Sequence, residues 1–241
     1  MRYGILSDIH GNIDALEAVI RSLEGAGLDA WICLGDLVGY GAEPSAVIDR
    51  VRKLGMVTVR GNHDHAATDP ALDSSFNVWA AKAIAWTRER LDDDRISYLA
   101  ELPLTRRVDD VLLVHAAPSD PIRWPYILDA AGADRELGEF EEPLCLFGHT
   151  HVPLQYSDAD GPGPTGEGVT AAYAGGRRAI VNVGSVGQPR DGNPAAAAGV
   201  LDTSERTVLF QRVEYDVGRA AERIREAGLP PFLADRLLEG R

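Results

Sequence analysis

Thiol groups are scarce in this chain. Its 241 residues include two cysteines, Cys33 and Cys145, each inside an apolar run. That excludes a thiolate cluster selecting a soft metal. It also excludes a disulfide scaffold, which a chain of this length does not need to bury a core. Two buried strand thiols in a reducing, cytoplasmic compartment are expected instead. Positive charge is also short. Lys and Arg total 24 against 37 Asp and Glu, a formal net charge of −13. Such a balance argues against a broad basic surface for nucleic acid. It leaves room for a small phosphate-bearing substrate, because bound cations invert a local field. No run of about 20 apolar residues exists, so no membrane span is expected. No basic region followed by a long apolar stretch opens the chain, so no signal peptide is expected. There is no P-loop. The one glycine pattern of dinucleotide type, 161–166, carries prolines where a helix would have to open.

The chain is rich instead in polar residues at the ends of apolar runs. Gly148-His149-Thr150-His151 follows Pro143-Leu144-Cys145-Leu146-Phe147. In a strand, residues i and i+2 share a face, so two imidazoles at that spacing can converge on one point. The glycine before them lets backbone approach closely. Asp8-Ile9-His10 repeats the arrangement after Tyr3-Gly4-Ile5-Leu6, and Asp36, Asn62, His63 and His115 also stand at strand ends. Five of the six histidines fall in this set, and only His65 is left over. Carboxylate, imidazole and amide oxygen suit borderline divalent ions: manganese first, with iron, zinc and nickel as alternatives. The absence of an all-oxygen set argues against calcium. Eight candidates exceed what one catalytic ion takes. Two ions sharing a carboxylate, ~3.5–4 Å apart, are the natural arithmetic.

Strands and helices alternate over the first third of the chain, which predicts an α/β fold. Asn12 caps a helix running to about Ala26, with Ile13, Leu16, Ile20 and Leu23 as its apolar stripe. Pro44 opens a second helix, ended by Gly55. Residues 73–101 are helical by pattern, with Trp79, Ala83, Trp86 and Arg90 on one stripe and Trp79 expected in the core. The triplet Asp92-Asp93-Asp94 reads as a turn and helix start rather than a cation site. A hairpin across Asp109-Asp110 delivers His115, and a short helix follows near 127–138. After His151 the chain is β-rich until Asp216 caps a helix, and a last helix follows Pro230-Pro231. The stretch 161–168 is expected to be a mobile surface loop. No internal repeat or linker divides the chain, so one domain over 1–241 is expected.

The motif series Asp8-Ile9-His10, Gly35-Asp36, Gly61-Asn62-His63-Asp64, His115 and Gly148-His149-Thr150-His151 resembles the calcineurin-like metallophosphoesterase superfamily. The stretches Gly35–Gly41 and Gly184–Arg190 look like its small bacterial and archaeal phosphodiesterases. One departure is Ala116-Ala117-Pro118, where many relatives have a glycine beside the histidine. The resemblance implies a four-layer α/β/β/α sandwich of two mixed sheets, with the metals at one edge. It implies that Asp8, His10 and His151 hold one divalent ion, that Asn62, His115 and His149 hold a second, and that Asp36 bridges them. His63 would stabilise or protonate the leaving oxygen, and Asp64 would orient His63.

The implied reaction is direct hydrolysis of a phosphoester by a hydroxide held between the ions, without a phospho-enzyme. A small phosphodiester or nucleotide is the expected substrate. Arg190 and Arg123 are candidates for phosphate contact. Tyr40 is the best candidate in an aromatic wall, with Phe76, Trp124 and Tyr126, that would stack a nucleobase. A phosphomonoesterase or protein phosphatase on the same site is the alternative. A nuclease is disfavoured by charge. A non-catalytic scaffold would be expected to have lost His63 or metal ligands, which are all present. A homodimer is left open.

Overall fold

The computed structural model describes residues 1–241. Its centre is two mixed sheets of six strands each. In the first, β3 (Val57–Thr58), β2 (Ala30–Cys33) and β1 (Arg2–Leu6) run parallel. Strands β11 (Ala196–Asp202), β12 (Thr207–Val213) and β9 (Thr170–Ala172) continue the sheet antiparallel. The second sheet has the order β4 (Thr105–Val108), β5 (Val111–Val114), β6 (Leu144–Phe147), β10 (Ala179–Asn182), β7 (Leu154–Ser157) and β8 (Gly161–Pro162). Its central three strands are mutually parallel.

The apolar runs explain this arrangement. Strands β5 and β6 are buried at every residue, as expected of strands covered on both faces. The two-residue period then divides their side chains. Val111, Leu113, Leu144 and Leu146 meet Ile5, Ile32 and Leu34 of the first sheet in the inter-sheet core. Leu112, Val114, Cys145 and Phe147 face outward, where α6 (Ala130–Glu136) covers them with Ala133 and neighbouring Leu137. On the far side, Leu6 and Cys33 face α1 (Ile13–Leu23), α2 (Pro44–Lys53) and α5 (Asp93–Glu101). The four-layer sandwich is therefore present. Both cysteines are buried and unpaired, as expected. No helix is long and apolar enough to cross a membrane.

The caps follow the sequence. The Asn12 carboxamide oxygen accepts from the Ala15 N–H at 3.0 Å. Asp92 caps α5, accepting from Arg95 N–H, while Asp94 pairs with Arg52, so the acidic triplet is spent on a helix start. Asp216 caps α7 (Val217–Glu226), and Pro231 opens α8 (Pro231–Glu239). These two helices pack with α4 (Val78–Arg88) in a separate apolar cluster. The short α3 (Asn62–Thr68) completes the set.

Two expectations need correction. Helix α4 turns Ala80, Ala83, Ile84 and Thr87 inward, so Trp79 is 38% exposed rather than in the core. Ala80 and Ala83 share an apolar cluster with α7 and α8, and the bulky indole is left at the rim. The stretch 161–168 is not all loop, because Gly161 and Pro162 pair with β7 as an edge strand. Proline is tolerated there, where no ladder donor is needed.

Leu146 is fully buried between the sheets. Leu146→Ala should lose about 2–5 kcal/mol of stability, read as a lower urea midpoint. Leu128→Ala, at a side chain 75% exposed, should change it by less than about 0.5 kcal/mol.

Candidate metal centre

The C-terminal ends of parallel strands carry the predicted residues to one edge of the sandwich, where open α/β sheets place their ligands. Asp8 and His10 follow β1, Asp36 follows β2, Asn62 follows β3, His115 follows β5, and His149 and His151 follow β6. The chain turns abruptly at these points. Asp8, His10, Asp36, Tyr40, Trp124, His149 and His151 are seven of the nine non-glycine residues with positive φ, between 49° and 68°. Strain of this kind concentrates where function over-determines the backbone.

Two groups of ligand atoms result, with Asp36 common to both. Asp8, His10, Asp36 and His151 form one, and Asp36, His115 and His149 the other, with the atoms in each group within 4.8 Å of one another. His149 and His151 therefore do not converge on one point. Both lie beyond the strand in left-handed conformation, so the strand period no longer governs them, and each imidazole serves a different group. Asn62 joins the second group, its Oδ1 lying 3.1 Å from His115 Nε2. All seven residues lie together at this edge.

The hydrogen bonds around the rings decide which nitrogens are free. His10 Nδ1 meets the Val38 carbonyl at 2.9 Å, His115 Nδ1 the Leu34 carbonyl at 2.7 Å, and His151 Nδ1 the Gln188 carbonyl at 2.6 Å. A carbonyl only accepts, so each Nδ1 donates its proton and each Nε2 is turned to the centre, bare where the ring is neutral, as burial keeps His10 and His151. His10 Nε2 and His151 Nε2 then face each other at 3.0 Å, lone pair to lone pair. His115 Nε2 faces Asp36 Oδ2 at 3.3 Å, and His151 Nε2 faces Asp8 Oδ1 at 3.3 Å. His149 Nε2 is buried with no partner at all. Acceptors aimed at acceptors, in a buried space, fit divalent cations.

The electrostatics agree. Burial pushes Asp8 and Asp36 up, yet imidazoles outweigh it and hold both below the usual carboxylate range: His151 and His115 at Asp8, His115 and His63 at Asp36. Burial disfavours a proton on His115, but Asp36 and Asp8 raise its pKa to about 9. The field that favours a proton there favours a metal cation. Burial lowers His10 and His151 and takes His149 down to about 3, keeping their lone pairs available.

Close backbone approaches hold the carboxylates. A Cβ on Gly148 would fall 2.0 Å from Ser7 Oγ and 2.8 Å from Asp8 Oδ2, so no side chain fits there. Ser7 Oγ donates to Asp8 Oδ2 at 2.6 Å, and the His149 N–H donates to the same oxygen at 3.1 Å. Asp36 Oδ1 accepts from the His63 N–H at 2.9 Å, which leaves Oδ2 facing His115 and, at 3.6 Å, His10. Ser7 and the three carbonyl acceptors were not singled out from sequence. A small residue beside a ligand is the only signal Ser7 gives, and a carbonyl gives none.

Asp64 does not orient His63. Its carboxylate accepts from the backbone N–H groups of Asp36 at 2.8 Å, Leu37 at 2.9 Å, Val38 at 3.2 Å and Gly61 at 3.1 Å. As the third residue of α3 it accepts from the N–H of the capping residue Gly61 and ties the Asp36 loop to the helix start, so its oxygens are spent before His63 is reached. Burial and the Asp36 charge raise the Asp64 pKa, opposed by these N–H donors. The His63 ring instead packs beside Gly39, Tyr40 and Phe76, and its Nδ1 has no partner. Burial depresses its pKa to about 4, so the ring is neutral at pH 7.

A cleft of about 600 Å³ opens over the centre, lined by Tyr40, Asn62, His63, Phe76, Trp124 and Tyr126 among others. Tyr40 lines it but is only 7% exposed, its ring 4.6 Å from that of His10 and 4.5 Å from that of His63. That corrects its expected role, since its faces are occupied by the centre. The free aromatic is Tyr126, 57% exposed and stacked on His149 at 4.0 Å. Arg123 lines the cleft with its side chain 83% exposed, 3.6 Å from Asp120. Arg190 donates to the Gln188 side chain at 2.9 Å, and its guanidinium lies 5.6 Å from the Tyr40 ring centre. His65 also lines the cleft, outside both ligand groups.

Comparison with known proteins agrees with this geometry. The family model of the calcineurin-like phosphoesterase superfamily domain matches residues 1–206. An uncharacterized protein of Methanocaldococcus jannaschii is 34% identical over 98% of this chain and 97% of its own. The crystal structure of a metallophosphoesterase from Sphaerobacter thermophilus superposes with a TM-score of 0.90 at 39% identity, covering 100% of this chain and 99% of that one. The phosphodiesterase YfcE of Escherichia coli is 24% identical over 87% of this chain and 91% of its own length. With its two Asp36-sharing ligand groups at the edge of a four-layer sandwich, the chain belongs to the calcineurin-like phosphoesterase superfamily.

Proposed function

We propose that this chain is a dinuclear-metal phosphodiesterase acting on small phosphodiesters or nucleotides. The observation that carries the reading is the pair of bare imidazole nitrogens facing each other at 3.0 Å between His10 and His151, matched by His115 against Asp36 and Asn62. Asp8, His10 and His151 would hold one divalent ion. Asn62, His115 and His149 would hold the other, with Asp36 common to both groups. Manganese heads the candidates for this donor set. When bound, such ions make water nucleophilic near neutral pH and neutralise phosphoryl charge.

The chain's own residues do the rest. His63, neutral and facing the cleft, donates a hydrogen bond to the leaving oxygen. Arg190, beside Tyr40, contacts a non-reacting phosphoryl oxygen, and Arg123 does so from the outer rim. Neither thiol, nor the serine beside the ligands, is free to act as a nucleophile. Both thiols are buried in the outer cores, and Ser7 Oγ is bound to Asp8. Hydrolysis is therefore direct. A diester is favoured over a monoester because the cleft extends well beyond the ligand groups, with room for a substituent on the phosphorus. The relative named as a phosphodiesterase supports the same choice.

Metal-stripped protein refilled with Mn²⁺ should bind two ions per chain by plasma mass spectrometry. It should hydrolyse bis-p-nitrophenyl phosphate faster than p-nitrophenyl phosphate. Asp36→Asn should bind fewer than two ions and lose diester hydrolysis. His63→Ala should keep both ions and lose roughly 10²–10⁴-fold in kcat. Faster turnover of the monoester would overturn the diester reading, and metal loss in His63→Ala would overturn the division of roles.

Asp64→Asn tests the positioning role of Asp64. Freed of its carboxylate, the Asp36 loop should bind Mn²⁺ roughly 10–100-fold more weakly by calorimetry. Full metal affinity with lost activity would return Asp64 to the side of His63.

A further inference from the structure

One flank of the cleft is made of side chains that the fold itself does not use. Ile122, Trp124 and Tyr126 line it from the irregular stretch 120–129 that leads into α6. None of the three belongs to the apolar clusters that form the core. The stretch is anchored instead by Ile127, buried in the outer core with α6. Pro121 and Pro125 fix φ on either side of Trp124, so little freedom is left to lose when a ligand binds.

Trp124 is held there at a backbone cost. Its φ is +57°, left-handed for a bulky residue, and it precedes a proline, which favours extended backbone. Such a conformation persists where the surroundings over-determine it. The indole meets two imidazoles in the cleft, its centre 5.8 Å from that of the ligand His115 and 6.1 Å from that of His65, which belongs to neither ligand group. Two residues on, Tyr126 lies on His149 with ring centres 4.0 Å apart and planes 22° from parallel. That contact covers one face of the phenol. With the side chain 57% exposed, the other face is a free aromatic platform set against a ligand of the centre.

The flank beside His63 has a different chemistry. Phe76 meets His63 with ring centres 5.0 Å apart, and its chain neighbours Ser75 and Asn77 also line the cleft. Asn77 caps α4. Its Oδ1 accepts from the N–H groups of Trp79 and Ala80, each at 3.0 Å, which leaves the Nδ2 hydrogens as donors. Ser75 Oγ donates to the Leu72 carbonyl at 2.6 Å and keeps its lone pairs as acceptors. The cleft thus offers a stacking face, an amide donor and a hydroxyl acceptor. A phenyl group would use only the first. A nucleobase uses all three, because it has a π-face and a polar edge on which donors and acceptors alternate.

We propose that Tyr126 determines specificity in this cleft by stacking a nucleobase carried on the reacting phosphorus. Trp124 is the end wall of that subsite, and Asn77 and Ser75 bond the edge of the base. The assignment rests on the phosphodiesterase reading for its link to catalysis, and it makes the preferred substrate a nucleoside phosphodiester. The stack itself needs neither metal nor reaction.

The first probe is adenosine, titrated into the metal-stripped full chain and followed by NMR saturation transfer. Saturable binding is expected in wild type. Tyr126→Ala should weaken it at least about fivefold, the loss of one base–aromatic stack. Tyr126→Phe should bind as wild type does, because it keeps the ring. Leu128→Ala, on the same stretch but outside the cleft lining, should also bind unchanged. Tyr126 is not a core residue, so thermal midpoints close to wild type check that its variants fold. The kinetic readout, with Mn²⁺, compares the p-nitrophenyl ester of adenosine monophosphate with methyl and phenyl p-nitrophenyl phosphate, which share its leaving group. The kcat/KM of the nucleoside ester relative to the methyl ester should fall at least about fivefold in Tyr126→Ala, at unchanged metal content, and should recover in Tyr126→Phe. A phenyl ester preferred as strongly as the nucleoside ester would overturn the nucleobase assignment. No saturable adenosine binding, or equal binding in Tyr126→Ala, overturns the subsite even if the methyl diester is cleaved. Adenosine binding that Tyr126→Ala weakens, in a protein that cleaves no phosphoester, keeps the stack and overturns the phosphodiesterase reading.

Discussion

Mutual repulsion among buried acceptors is the constraint on which this molecule is built. Two imidazole lone pairs at 3.0 Å, two carboxylates and an amide oxygen occupy one water-poor pocket. Left alone such groups separate or take up protons. Here they cannot separate, because each is fixed at its other end. The Nδ1 donors are spent on carbonyls, Asp8 is held by Ser7 and the His149 N–H, and Asp36 by the His63 N–H. The attraction for a dication follows from that fixation more than from the identity of any one ligand.

The fixation has a backbone cost. A left-handed residue with a side chain costs roughly 1–2 kcal/mol. Seven around one site are together comparable with the net stability of a whole domain, about 5–15 kcal/mol. The turns survive because they hang from strands buried on both faces. Leu144 and Leu146 are locked between the sheets, and Cys145 and Phe147 under α6, so the chain leaving β6 has no freedom to relax the turns at His149 and His151. Core and site are thus one mechanical system.

This explains what could be read from residues alone. Apolar runs ended by Asp, Asn or His report both a buried parallel strand and the group it delivers, so the sandwich and all seven ligand candidates were legible. Side-chain direction was not, because it depends on φ at single residues. His149 and His151 look alike in sequence and part company only once both turn left-handed. Asp64 misled for a related reason. Its neighbour His63 suggested a carboxylate–imidazole pair, but position three of a short helix aims the carboxylate at backbone N–H groups. Tyr40 and Trp79 exchanged expectations because burial is decided by partners distant in sequence. Tyr40 is enclosed by His10 and His63, while Trp79 is left on the rim by α7 and α8.

The placing of ion pairs changes what the acidic composition means. A charge of −13 spread evenly would repel a phosphate-bearing ligand. The carboxylates are not spread evenly with respect to the arginines. Most arginines on the outer faces are neutralised in place, as Arg50 is by Glu17, Arg88 by Asp73, and Arg223 by Asp14 and Glu43. Arg190, beside Tyr40, is left with the neutral Gln188 amide instead. Coulomb attraction at a few ångströms in a partly buried groove exceeds the screened repulsion of exposed carboxylates farther away than about 8–10 Å. An acidic protein can therefore present a local anion site, provided its neutralising pairs lie elsewhere. The strand-end turns bring the ligand groups together, and Arg190, bonded to a neutral amide beside Tyr40, is a positive charge left near them.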